Sequence, residues 1–305
     1  MLLSALVLLA AVARSSDGIP IHYTVEGRGE PALVFVHCWN CNRHFWDAQL
    51  RAFRKTHRVL AIDLAGHGDS GQERKEWTIE AFGDDVKAVV DQLGLKRVIL
   101  VGSSMGGPVS LEAARKLGDR VIGIVAVDTL QNVEQKAPPE QVDKMLQDMK
   151  SDYKGQTTEF ISENLFSPTT PPAVRKRVLK VATSASPDRS IAMLRAAMTY
   201  DPVPALAEIR TPIRAINSDK YPTNLEANRR HIPRFDVALM KGAGHYLMLE
   251  DPTRFNALLA DALRELEKSR QPAPSGTSSV AVSLRPSTRS RYPAASVASL
   301  PTSPR

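Results

Sequence analysis

The stretch that decides the fold is "RVILVGSSMGGPVSLEAARKL", residues 97–117. Its first part is a β-branched run without apolar–polar alternation, as in a strand buried on both faces. Its last part has helical spacing, and Pro108 stands near the first turn, where a missing N–H costs nothing. Between them Gly102-Ser103-Ser104-Met105-Gly106 matches G-x-S-x-G with Ser104 at the centre. The pattern alone arises by accident in about one chain in ten of this length, given ordinary Gly and Ser usage. The strand-turn-helix setting therefore carries the weight. A tight turn there forces its central residue into a strained backbone, leaves the flanking glycines free for close packing, and aims Ser104 outward. Ser103, one step earlier, reads as a turn or lining residue.

Working outward, similar runs recur at 32–37, 58–63, 120–128, 212–217 and 236–240, separated by helical spacing at 46–55, 78–93, 108–117, 224–230 and 252–266. Alternation of this kind predicts an α/β fold with a mostly parallel, doubly wound sheet. One connection is too long for a simple crossover: more than eighty residues lie between Asp128 and Pro212. Their pattern is helical and broken by prolines, which predicts an inserted helical cap over the carboxyl edge of the sheet, where ligands bind in such folds. The expected organisation is a core over 17–130 and 206–268, a cap over 131–205, and a tail over 269–305 rich in Ser, Pro and Arg that is expected to be disordered.

A serine hydroxyl needs a base, and in this architecture the partners follow in the order Ser, acid, His. That leaves His231 and His245. His231 falls at the end of a helical stretch, whereas His245 sits in the glycine-rich "KGAGHYLMLEDP" after the last strand and is the expected base. The acid should stand at the end of an earlier strand. Asp219, in the loop after 212–217, is the first choice, and Asp128, ending the run at 120–128, is the alternative. Oxyanion donors are expected from the amide of Met105, directly after Ser104, and from Trp39, in the loop after 32–37.

The net charge of +7 is concentrated in the tail: Arg270, Arg285, Arg289, Arg291 and Arg305 lie after residue 268 with no Asp or Glu, which leaves the first 268 residues near +2. Nucleic acid is therefore not an expected partner. Residues 1–16 are a candidate signal peptide: Leu2–Ala13 is apolar but too short to span a bilayer, and Ala11-Val12-Ala13 offers a small-x-small cleavage pattern, although no Lys or Arg precedes it. The chain is secreted or periplasmic if that segment is removed, and otherwise cytoplasmic. His37, Cys38, Cys41 and His44 have zinc-compatible types and spacing but share one loop with no distant second pair, so no metal is expected. A redox role for the two cysteines is not expected either, since C-x-x-C normally draws on a helix N-terminus to acidify one thiol.

Taken together, "VFVHCWN", "DLAGHGDSG", "VGSSMGG", "INSDKYPT" and "GAGHYLMLEDP" resemble, in order, the motifs of capped α/β-hydrolases, a group that includes esterases, cofactor-free perhydrolases and carbon–carbon bond hydrolases. The resemblance spans about residues 17 to 267. It implies an α/β-hydrolase fold, a triad of Ser104, Asp219 and His245, oxyanion amides at Trp39 and Met105, a structural role for His67, and no cofactor. Cys38 stands where the family usually has Gly, and the acid loop lacks the common preceding glycine, which keeps Asp128 as a rival. A serine nucleophile argues against the aspartate chemistry of haloalkane dehalogenases and epoxide hydrolases. The expected activity is hydrolysis of a small, mainly apolar ester, with Met145, Phe160, Phe166, Met193, Met198 and Tyr200 as candidate cap lining. The alternatives are carbon–carbon hydrolysis or peracid formation on the same triad, or a non-catalytic receptor.

Overall fold

The computed structural model describes residues 11–268. The sequence-derived tail and most of the apolar N-terminal run lie outside those residues. Strands β1 (Ala11–Arg14), β2 (Pro20–Glu26), β3 (Ala32–Val36), β4 (Val59–Ile62), β5 (Val98–Ser103), β6 (Val121–Val127), β7 (Ile213–Ser218) and β8 (Phe235–Met240) form one sheet in the order β1-β2-β4-β3-β5-β6-β7-β8. From β4 to β8 every neighbouring pair is parallel, while β1 and β2 add an antiparallel edge. The sequence reading has neither β1 nor β2 as a strand: β2 is not a continuous apolar run, and β1 lies at the end of the apolar run read as a candidate signal peptide. Ala11-Val12-Ala13, read as a cleavage pattern, lies within β1 and pairs with residues of β2.

The central strands are apolar throughout because helices cover both faces. On one face α2 (Ile79–Gln92) and α3 (Gly106–Leu117) pack over Val34, Val36, Leu60 and Leu100; on the other α1 (Asp47–Phe53) and α11 (Pro252–Lys268) pack over Leu33, Phe35, Ala61 and Val101. Thr78 sets the start of α2, its hydroxyl accepting from the Ala81 amide at 3.1 Å. In α11, Phe255, Leu259, Leu263 and Leu266 fall on one stripe and are buried, each contributing about 1.5–3 kcal/mol by area burial.

Between β6 and β7 the insertion is helical: α4 (Pro139–Ser151), α5 (Tyr153–Phe160), which runs into a π-helical turn at Ile161–Leu165, α6 (Pro172–Ala182), α7 (Pro187–Thr199) and α8 (Val203–Glu208). Prolines at the first turns of α4, α6 and α7 explain the punctuation seen in the sequence. Helix α9 (Leu225–His231) connects β7 to β8, and the short α10 (Leu247–Glu250) precedes α11.

Candidate active site

Ser104 lies between the end of β5 and the start of α3 with φ +52°, in the left-handed region that a side-chain-bearing residue rarely occupies. The turn is fixed by the Ser104 amide donating to the Val127 carbonyl at 3.0 Å and by the Gly107 amide donating to the Ser104 carbonyl at 2.8 Å. Its tightness explains two of the glycines. A Cβ at Gly102 would stand 2.1 Å from the Gly106 carbonyl oxygen, and one at Gly106 would stand 2.5 Å from that of Val36. The strain thus persists because the surrounding backbone over-determines it.

A cavity of about 230 Å³ holds Ser104 and His245, with Trp39 and Met105 also in its wall. Neither the Trp39 nor the Met105 amide donates a hydrogen bond to another described residue, as expected of donors reserved for an oxyanion. The insertion supplies Phe160, Leu165, Leu194 and Met198 to the same wall. Of the other candidate lining residues, Met193 is fully buried and Phe166 packs with Tyr246 in a separate cluster, Met145 packs against the main core, and the Tyr200 hydroxyl donates to Glu112 at 2.7 Å.

His245 meets Asp128 and makes no hydrogen bond or ion pair with Asp219. Nδ1 of His245 is 2.6 Å from Oδ2 of Asp128. The other carboxylate oxygen accepts from the Ser218 amide at 2.7 Å and the Ser218 hydroxyl at 2.9 Å, so both oxygens are engaged in a buried setting. Asp219 is exposed and accepts from the Gly242 amide at 2.7 Å, tying the loop after β7 to the turn after β8. The physical reason lies in sheet order. Asp128 follows β6, which adjoins β5 directly, whereas the loop after β7 starts one strand further away. Asp128 reaches its position through another left-handed backbone, φ +46°.

The histidine loop is braced by groups that the sequence reading did not single out. The Glu250 carboxylate accepts from the amides of Gly244, at 2.8 Å, and Tyr246, at 3.2 Å, on either side of His245. The His245 amide donates to the Leu165 carbonyl of the insertion at 2.7 Å. Glu250 lies five residues after His245 in "GHYLMLE", but nothing in its type or spacing marks it. His231, at the end of α9, pairs with Glu134 at 2.8 Å.

Behind the site, His37 and His67 are buried and their rings meet edge to face at 4.7 Å. His37 Nε2 accepts from the Leu64 amide, and His67 Nε2 accepts from the Asn40 amide at 3.3 Å. Burial pushes the pKa of both below the usual histidine value, so both act as neutral scaffolding of the loop that carries Trp39. In that loop Cys38 and Cys41 form a disulfide. With both sulfurs so engaged, neither is a zinc-ligating thiolate. Among the described residues no three His, Cys, Asp or Glu side chains converge as a metal cluster.

The chain belongs to the alpha/beta hydrolase family, whose model matches residues 33–258. It is similar to the AB hydrolase superfamily protein YisY of Bacillus subtilis, at 26% identity over 77% of this chain and 91% of that protein. It is also similar to the bifunctional esterase/perhydrolase DCH of Acinetobacter calcoaceticus, at 37% identity over 38% of this chain and 43% of that protein. Among solved structures, a thermophilic esterase from Thermogutta terrifontis superposes with a TM-score of 0.73 at 25% identity, covering 84% of this chain and 98% of the other.

Proposed function

We propose that this hydrolase cleaves small, mainly apolar carboxylic esters through an acyl-enzyme, with Ser104 as nucleophile, His245 as base and Asp128 as the acid. The observation that carries this reading is the shared cavity of Ser104 and His245, with the far nitrogen of His245 bonded to a buried carboxylate. His245 takes the Ser104 proton through Nε2 as the hydroxyl attacks the ester carbonyl, and the Trp39 and Met105 amides receive the oxyanion. His245 then returns the proton to the leaving alcohol and activates a water that releases the acid.

The cavity supports a small neutral acyl group. At about 30 Å³ per water-sized atom, its 230 Å³ holds about eight heavy atoms, and its only ionisable lining side chains are His245 and Tyr246, whose phenol burial keeps in the neutral form. Fluorophosphonate labelling followed by peptide mapping tests the assignment. Labelling of Ser104, lost in Ser104→Ala, supports it; an unlabelled wild type, or equal labelling of Ser104→Ala, overturns it. Acetate to octanoate p-nitrophenyl esters, run beside a β-diketone and a peracid assay, test the substrate class, with kcat/KM expected to peak at the short esters.

A further inference from the structure

The Cys38–Cys41 disulfide touches two cavities. Cys38 lines the one that holds Ser104, while Cys41 lines a second, of about 370 Å³, on the other flank of the loop. The second cavity is cationic: Lys180 and Arg189 border it, beside the neutral His67, and no carboxylate does. Neither cation is ion-paired among the described residues, and Arg189 Nε is buried without a hydrogen-bond partner. Cys41, 3% exposed, brings the disulfide to the edge of that wall.

We propose that Cys41 is a thiol–disulfide exchange site, that the Lys180–Arg189 cavity admits small anionic thiols to it, and that exchange there governs the oxyanion loop. The incoming thiolate attacks Cys41 Sγ and forms a mixed disulfide. The Cys38–Cys41 bond breaks with its electron pair on Cys38, which takes a proton from water. A second molecule of the same thiol attacks the first one's sulfur and releases Cys41 as a thiolate. In balance, the protein disulfide is reduced to two thiols and two small thiols are oxidised to their disulfide.

The link to the active site is the two-residue span that the disulfide closes. Trp39, which lines the cavity, lies inside it, as does Asn40, held at φ +51°. Reduction leaves other anchors in place: Trp39 Nε1 donates to the Ser190 carbonyl at 2.8 Å, and Asn40 Nδ2 donates to the Tyr153 hydroxyl at 2.8 Å. The fold therefore survives while the amide loses its covalent brace. Removing an oxyanion donor outright lowers kcat by about 10²–10³, so loosening one is expected to lower it about tenfold with KM within about twofold.

The test uses the native full-length chain with 3-mercaptopropionate, 2-mercaptoethanol and cysteamine, each normalised to its rate with a small neutral disulfide. Iodoacetamide trapping and mass spectrometry read the exchange. The expected order is anionic over neutral over cationic, with an anion advantage of about fivefold, the rate equivalent of one charge pair at about 4 Å in water. Lys180→Gln, at an exposed position, should cut that advantage without altering the untreated activity, and Arg189→Gln should cut it further. Cys38→Ser with Cys41→Ser should be insensitive to thiols. No trapping in folded protein, or no charge preference, overturns the site; full kcat after stoichiometric trapping overturns the coupling. The activity arm rests on the hydrolase reading above, but trapping does not. Exchange without Ser104 labelling would therefore sink that reading alone.

Discussion

Replacing Asp128 by Asn tests the acid assignment most sharply, because the surrounding bonds dictate how the amide must sit. One carboxylate oxygen of Asp128 accepts from both the Ser218 amide and hydroxyl. An Asn keeps those bonds only by placing its carbonyl oxygen there, which turns its NH₂ toward His245. Nδ1 of His245, 2.6 Å away in the native protein, must then accept rather than donate, so the ring proton moves to Nε2. A base with its proton on Nε2 cannot take another from Ser104. Loss of the correct tautomer in a serine triad lowers kcat by about 10⁴, or about 5.4 kcal/mol of barrier at about 1.36 kcal/mol per decade. Asp219→Asn should behave differently: the amide oxygen still accepts from Gly242, and the exposed site should change stability by no more than about 0.5 kcal/mol. Steady-state hydrolysis of p-nitrophenyl acetate by both variants, with circular dichroism as a fold control, decides. If Asp219→Asn loses the activity and Asp128→Asn keeps it within tenfold, the assignment from geometry is wrong.

Three further outcomes follow from the same structure. Ser104→Gly relieves a left-handed backbone that costs about 1–2 kcal/mol for a residue with a Cβ, so the inactive variant should gain about 1 kcal/mol in urea unfolding; no gain would mean that the turn is not strained. Glu250→Ala removes the acceptor for both amides flanking His245 and should lower kcat about tenfold with little change in KM, by analogy with the loss of outer-shell support at other sites; a change confined to KM would count against a positioning role. His37 and His67 are kept neutral by burial, with folded-state values below the usual 6.5. Below pH 6.5 the unfolded chain therefore binds more protons than the native one, so stability is full above that pH and falls as acid is added, by up to about 1.4 kcal/mol per pH unit for each histidine. Urea midpoints between pH 7 and 5 check this, and a flat profile would refute it.

The sheet core and the turn that carries Ser104 were legible in the sequence because both obey local rules. Runs such as "ALVFV" and "RVILV" have to be buried on both faces, and the glycines around Ser104 stand where a Cβ would strike backbone. The antiparallel edge was not legible, since β2 contains Pro20, His22, Tyr23 and Thr24 and carries no clean period. Which aspartate meets His245 was ambiguous for a different reason. Asp128 and Asp219 both follow apolar strands, and only the sheet order, a non-local property, decides which one stands beside His245. The Cys38–Cys41 pair was likewise legible as a motif but not as a bond, because spacing alone does not distinguish metal ligands, free thiols and a disulfide.

The insertion does more than roof the cavity. It holds two loops of the candidate site by hydrogen bonds of its own. On one side Ser190 and Tyr153 take up the Trp39 ring N–H and the Asn40 side chain, while on the other the Leu165 carbonyl accepts from the His245 amide. Lys220, just beyond the acid's partner strand, donates to the carbonyls of Glu163 and Phe166 at 2.8 Å each. A displacement of the helices by about 1 Å would therefore disturb the Trp39 loop and His245 together, and misplacement on that scale costs about a hundredfold in rate even when it originates far from the chemistry. Substitutions that shift the insertion should accordingly depress kcat as well as KM. Substitutions that only resize its wall, such as Met198→Ala, should change chain-length preference and leave kcat on the shortest ester within about threefold, because none of these anchoring bonds passes through the Met198 side chain.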